Sequence, residues 1–395
     1  MVENWRPTEA FEALADGRDW DGGRVYADLL SRAPVALMQG KGGGNNMWGI
    51  FSAAEIERAA TDHATFSNVT VPEGAPRILP LMVDPPEHTG YRRVINKFFM
   101  PGPIKAMEEK MRPVAVDLID GMIARGTADF SQEYAYQLSM RTLCSFLRVK
   151  EDWSIYNDWS REMEEATGAG TVGAGKDLPQ ELVMRVFPYI QGLIAERRAN
   201  PSDDVISGFV TEEVNGQKLD DFTITQLVMA IILAGKSTAA SGMGNIVLRL
   251  AREPEIQQFL RENPDRIPDA VEEGLRLESP QQEMPRKATR DVEVAGVTIR
   301  KGESVFLNYG SANLDPARWE DPGKFILDRP RRQHFAFGRG MHTCFGAPLG
   351  RMQMKMTLEE LLKRTKSFEL AGPIQRHTWP RLSVERLPLR FVPAG

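Results

Sequence analysis

His334-Phe-Ala-Phe-Gly-Arg-Gly-Met-His-Thr-Cys-Phe-Gly-Ala-Pro-Leu-Gly-Arg351 is a glycine-rich loop that runs into an apolar-periodic segment, Met352 to Leu362. Cys344 sits where loop becomes helix. Amides of Phe345, Gly346 and their neighbours point back at such a sulfur, and together with the helix dipole they favour a thiolate over a thiol. A thiolate is a strong ligand for iron. Gly340 and Gly346 leave space on either side of the sulfur, as is needed where backbone lies close to a flat macrocycle. Phe337 is placed to pack beneath it. A lone cysteine without these neighbours reads as a small buried hydrophobe. Zinc fits poorly, because a structural site needs four ligands and no second cysteine or clustered histidine lies nearby.

Outward from this loop the chain reads as mainly helical. Apolar residues recur at three- and four-residue spacing over Ile104 to Ala124, Leu182 to Ala199, Thr223 to Arg252 and Gln257 to Arg261. The third segment predicts an unbroken helix of about thirty residues, opened by a capping box of Thr223 and Gln226 and stopped before Pro254. Strand-like alternation is confined to Val292–Ile299, Ser304–Leu307 and Leu387–Val392. The long stretch Asn313 to Arg332, with three prolines and little periodicity, is an irregular segment of the kind that scaffolds a site. The expectation is an α+β fold, mainly α with small β-sheets, in which residues 1–395 form a single domain. Apart from the short Gly42 to Asn46 turn there is no low-complexity tract, and there is no repeat.

Of 395 residues, 26% are charged and 42% hydrophobic, and the net charge is -5. That field repels nucleic acid, and no basic block compensates locally. Two cysteines, Cys144 and Cys344, are too few for a disulfide framework and suit a reducing cytoplasm. Met1 to Leu14 carries charges where a signal peptide has an apolar core. Leu227 to Ala234, the longest strongly apolar stretch, is shorter than a membrane span. A cytoplasmic protein without a membrane anchor is expected.

Phe337-x-x-Gly340-x-His342-x-Cys344-x-Gly346 resembles the haem-binding loop of the cytochromes P450 at every defining position. The resemblance implies the P450 fold, with haem b (iron protoporphyrin IX) held between a long central helix and the cysteine loop, and Cys344 as axial ligand of the iron. Further motifs follow in the family's order. Glu273-Gly-Leu-Arg276 matches its Glu-x-x-Arg, with Arg329 as the third member of a buried structural triad. Ala312-Asn-Leu-Asp-Pro316 and Asp321-Pro-Gly-Lys-Phe325 resemble the family's irregular segment, with Leu314 and Trp319 in place of its usual arginine and phenylalanine. Haem carries two propionates, and His88, Arg92, Arg286 and His342 match the family's propionate ligands. Phe337, Gly338 and Gly346 complete the expected haem contacts.

One departure stands out in the central helix. The family text there is Ala/Gly-Gly-x-Asp/Glu-Thr, whereas this chain reads Ala234-Gly235-Lys236-Ser237-Thr238. Thr238 is kept and Ser237 replaces the acid. A hydroxyl passes a proton along a hydrogen-bonded chain but does not hold one as a carboxylic acid does. The expected catalytic pair is therefore Thr238 and Ser237, working through water.

The substrate side is expected to include Leu81, Ala230, Leu233, Ala234, Gln282, Met284 and Pro380, mainly apolar with one amide. It suits a small apolar substrate recognised by shape. The chain's organisation is similar to the camphor-hydroxylase-like group, which implies terpenoids or norisoprenoids such as ionone-like ketones. It also implies O2 as oxidant and electrons from a 2Fe-2S ferredoxin served by an NADH-dependent ferredoxin reductase. No flavin or nicotinamide fingerprint occurs in the chain. Arg92, Arg93, Lys97, Arg339 and Lys355 are candidate cations for an acidic ferredoxin. Two other readings are open: a peroxide-using, isomerising or dehydrating P450, and a non-catalytic haem-binding or sensor protein.

Overall fold

The computed structural model describes residues 22–38, 46–74, 77–149, 156, 158, 159, 161, 162, 180–214, 216–330, 332–377 and 381–394. The readings made on Met1 to Leu14, on most of the Gly42 to Asn46 turn and on Pro380 lie outside the described residues.

Three of the four helical periodicities fall inside single helices: Pro101–Arg125, Gln180–Ala199 and Pro254–Glu262. The fourth is two helices. Asp221–Gly235 and Ser237–Arg252 follow one another with an interruption at Lys236. The reason is one weak residue and one distant hydroxyl. Gly235 weakens helix propensity, and the Ser139 hydroxyl donates to the carbonyls of Gly235 and Lys236 at 3.2 and 2.7 Å. The cap also differs from expectation, because Asp220, not Thr223, is the capping side chain. Its carboxylate accepts the Thr223 amide at 2.7 Å.

Asp221–Arg252 as a whole is long and apolar enough to cross a membrane, against the shorter stretch read from sequence, but 61% of its most apolar window is buried inside the protein. It is a core helix. Its first half packs Leu227, Val228 and Ile231 among Val186, Ile190 and Phe209. Its second half packs Met243, Val247 and Leu250 against Met352, Met356 and Leu361 of the cysteine helix Ala347–Arg364. Gly242 brings these two helices close, since a Cβ there would lie 2.1 Å from the Met354 methyl. The central helix is thus fixed against the helix that begins at Cys344.

Among the described residues the largest sheet has five strands, in the order Val35–Met38, Met47–Ile50, Ser304–Asn308, Glu283–Ala288 and Phe66–Ser67. Val305 pairs with Trp48 in parallel and with Arg286 antiparallel. Strand alternation sends Met284 and Arg286 to one face and Glu283 and Pro285 to the other. The Val292–Ile299 alternation is a hairpin, turned by Ala295 and Gly296 at φ 49° and 79°. Leu387–Val392 corresponds to Pro388–Pro393, which joins a three-stranded sheet with Thr365–Leu370 and Thr127–Asp129.

Candidate active site

The cysteine loop is closed by its own backbone. The Cys344 amide donates to the carbonyl of Phe337 at 2.8 Å, and the Thr343 amide to that of Gly340 at 3.1 Å. Gly340 is required for a different reason from the one read in sequence. Its φ is +69°, and a Cβ would lie 2.2 Å from the Ala60 carbonyl oxygen. The loop is pressed onto the end of the helix Ala53–Thr61, and the tight approach is to protein backbone. Gly346 leaves the sulfur ordinary room, a Cβ there standing 3.6 Å from Sγ.

Cys344 is reachable by solvent yet surrounded by protein atoms. Burial pushes its thiol up. The amides of Gly346 and Ala347 and the cations Arg92 and Arg351 pull the other way. The expected thiolate preference is therefore not met by the protein groups alone, and a metal cation held at the sulfur would supply it. Cys144 lies in the apolar core on the helix Tyr136–Phe146. Among the described residues no group of three or more His, Cys, Asp or Glu could hold a bare metal ion.

Beside the sulfur is a cluster of basic side chains. His88 and Arg92 project from the helix Glu87–Asn96 four residues apart, and Arg286 comes from the strand Glu283–Ala288. The rings of His88 and His342 are 4.0 Å apart. Arg92 Nη2 donates to the Thr343 carbonyl at 2.8 Å, and Arg286 Nη1 to the Pro285 carbonyl at 2.7 Å. His88 Nε2, His342 Nε2 and Arg92 Nε are buried without a partner. The nearby carboxylate of Asp84 is taken by the Ser67 hydroxyl and the Asn68 amide.

The electrostatic consequence is plain. Burial, and then Arg92, lower the His88 imidazole to about 4. Burial followed by His88, Arg286 and Arg92 lowers His342 to about 2. Four basic side chains with three unused nitrogen atoms form a receptor for anions. Two carboxylates of a cofactor whose iron meets Cys344 fit this donor set.

The triad motif is joined. Arg276 donates to both oxygens of Glu273 at 2.8 Å, and Arg329 Nε to Glu273 Oε1 at 3.0 Å. Arg276 also donates to the carbonyls of Asn313, Pro322 and Lys324, tying the irregular segment to the helix Ile267–Leu277. Trp319 takes up the Arg276 guanidinium over its ring at 5.2 Å.

On the central helix, the Thr238 hydroxyl donates to the Ala234 carbonyl at 2.7 Å. Ser237 is buried, and its carbonyl accepts the Ser241 hydroxyl at 2.6 Å. Ala234 is exposed, between half-buried Leu233 and Gly235 and one turn before Thr238. Leu81, Leu233 and Met284 are half-buried and Ala230 is buried. Gln282 differs from expectation. It is 1% exposed, accepts the Tyr26 hydroxyl at 2.6 Å and donates to the Ser279 carbonyl, so its amide serves the core.

The cations proposed for a partner are largely engaged within the chain. Arg339 is buried, Arg93 donates to the Glu213 carbonyl, Lys97 pairs with Glu212, and Lys355 pairs with Glu108 and Glu359. Residues not foreseen from sequence also surround the site. Tyr309 hydroxyl lies 3.4 Å from Arg286 Nη2, and the Phe345 ring lies under Arg92.

Comparison with known proteins agrees with this geometry. The family model described as Cytochrome P450 matches residues 176–383. The chain is 34% identical to Cytochrome P450 130 of Mycobacterium tuberculosis over 352 residues, 85% of each chain. It is 30% identical to Cytochrome P450-terp of Pseudomonas sp over 88% of this chain and 84% of that one. The crystal structure of CYP108D1 from Novosphingobium aromaticivorans superposes with a TM-score of 0.84 at 28% identity, covering 98% of both chains. The cysteine loop, the buried triad and the basic cluster thus sit in a chain that belongs to the cytochrome P450 family.

Proposed function

We propose that this P450 is a ferredoxin-driven monooxygenase that hydroxylates a small apolar terpenoid or norisoprenoid, and that residues 1–395 act as one catalytic unit in the cytoplasm. Members of the family are haem-containing oxidoreductases that bind haem b through a cysteine thiolate. In this chain Cys344 would be that ligand, while His88, Arg92, Arg286 and His342 would hold the propionates. The observation that carries the assignment is the set of buried, partnerless nitrogen atoms next to an accessible cysteine. When bound, haem supplies the activation of O2, with thiolate donation favouring O–O cleavage.

The chain's own groups do the rest. Leu81, Leu233, Ala234 and Met284 give an apolar surface that orients substrate by shape and excludes water. Thr238 holds a hydroxyl proton on the Ala234 carbonyl and keeps its lone pairs free to accept from water. The similarity to a protein named Cytochrome P450-terp supports a terpenoid. The lack of a flavin or nicotinamide fingerprint supports an external electron donor.

A reduced, carbon-monoxide-bound absorption spectrum tests the ligand, with a band near 450 nm expected for thiolate. Ferric spectra with terpenoid ketones then test the substrate class through a spin shift. A band typical of histidine ligation would overturn the role of Cys344. A second reading, peroxide-dependent turnover, is favoured by Ser237 in the acid position. Product with hydrogen peroxide, but none with NADH, reductase and ferredoxin, would select it.

A further inference from the structure

Beneath the cysteine loop is a second charged group that the haem-thiolate reading does not use. Arg351, on the cysteine helix, donates Nε and Nη2 to the two oxygens of Glu272 at 2.6 and 2.8 Å. Glu272 Oε2 also stands 3.2 Å from His334 Nε2. His334 is buried, and its Nδ1 accepts the Ala336 amide at 3.2 Å. That bond anchors one side of the ring and leaves Nε2 facing the Glu272 carboxylate. Bonds from His334 and Arg351 outweigh burial and hold the Glu272 carboxyl down to about 2.

The guanidinium held in this way lies 4.5 Å over the ring of Phe337, and the His334 ring is 5.8 Å from the same ring. Phe337 in turn accepts the Cys344 amide at 2.8 Å. An Arg–Glu pair with side chains 40% and 43% exposed contributes little to stability by itself. Here the fork is bidentate, shared with a buried histidine and stacked on the ring that leads to the sulfur. Such geometry is more than a surface pair needs.

We propose that Glu272 and His334 are positioning residues that hold the Arg351 cation against Phe337, and that this held charge sets how strongly Cys344 donates to iron. The inference rests on ligation by Cys344. A cation near the sulfur draws negative charge onto it and away from the metal, which favours the reduced iron. The Glu272 carboxylate offsets that cation. Removing one charge or the other therefore shifts the ferric/ferrous equilibrium in opposite senses.

The test is the ferric/ferrous midpoint potential of the purified holoprotein and of Arg351→Gln, Glu272→Gln, His334→Ala and the Arg351/Glu272 double variant. Arg351→Gln is expected to disfavour the ferrous form by at least about threefold, or about 28 mV at 59 mV per tenfold for one electron. Glu272→Gln keeps an acceptor for the guanidinium and loses only the charge, so it is expected to favour the ferrous form by a similar factor; His334→Ala loosens the held cation and is expected to shift as Arg351→Gln does but by less; the double variant is expected to return to within about twofold of the parent. Arg351→Lys keeps the charge but not the flat stacking, and is expected between Arg351→Gln and the parent. It also serves if the Gln variant does not fold. Unchanged potentials, or shifts of one sign throughout, overturn the inference, because a purely structural clamp lowers thermal stability without opposed signs. If the parent itself lacks a band near 450 nm, the ligation by Cys344 fails instead.

Discussion

Arg92 donates through Nη2 to the Thr343 carbonyl at 2.8 Å and at the same time lies 5.3 Å over the ring of Phe345. One guanidinium therefore brackets Cys344 through both of its chain neighbours, while its Nε remains buried and partnerless. The side chain that holds the cysteine loop is therefore also the one that would offer a donor to a cofactor carboxylate.

Arg92→Met removes both at once. A hydrogen bond to a charged group contributes about 1.5–3 kcal/mol, so haem transfer to apomyoglobin is expected to quicken by roughly ten- to a hundredfold. An unchanged transfer rate would exclude Arg92 from the propionate site.

Acid should destabilise the haem-free protein through His88. Its imidazole is lowered to about 4 in the fold, against an ordinary value near 6.5. The unfolded chain therefore binds the proton first as pH falls, and stability is lost between about 6.5 and 4. For this one group the loss at pH 5 is on the order of 2 kcal/mol. Urea unfolding of the haem-free protein at pH 7 and pH 5, compared with His88→Gln, measures it, and the variant should show a smaller difference.

Glu273→Gln leaves the Arg276 and Arg329 guanidinium groups buried with their carboxylate gone. Breaking such a pair costs about 3–5 kcal/mol. The expected outcome is a large drop in the urea midpoint and poor haem incorporation. Normal stability would reduce the triad to an ordinary contact.

Gly340→Ala places a methyl group 2.2 Å from the Ala60 carbonyl oxygen at a φ of +69°. Both the clash and the backbone penalise the folded state, by roughly 3 kcal/mol or more. Thermal unfolding should register the loss, and Gly346→Ala should be milder, since only the sulfur, at 3.6 Å, is near.

Thr238→Ala removes the hydroxyl bound to the Ala234 carbonyl. With substrate, ferredoxin and NADH, peroxide release per NADH is expected to rise and product to fall by about tenfold or more. Ser237→Ala should act in the same sense if Ser237 serves the relay. Unchanged coupling in both variants would remove the proposed proton route.

Much of this was legible in the sequence because the decisive groups lie close together along the chain. Phe337, Gly340, His342, Cys344 and Gly346 span ten residues, and Glu273 and Arg276 are one helical turn apart. The break at Lys236 was not legible, because it depends on Ser139, about a hundred residues away, taking the carbonyls that a continuous helix would keep. Gln282 read as a site residue, but the Tyr26 hydroxyl and the Ser279 carbonyl engage its amide in the core just before the strand begins. The role of Gly340 depends likewise on a helix nearly three hundred residues earlier.

The central sheet pairs Trp48 with Val305, and Val305 with Arg286. Contacts of that sequence separation form late, since a long loop must close before any of them stabilises the chain. During synthesis, His88 and Arg92 leave the ribosome well before the strand that carries Arg286, and Cys344 emerges later still. Haem capture is therefore an event at the end of folding, and a chain cut short of the sheet's last partner would expose its basic cluster with nothing to enclose it.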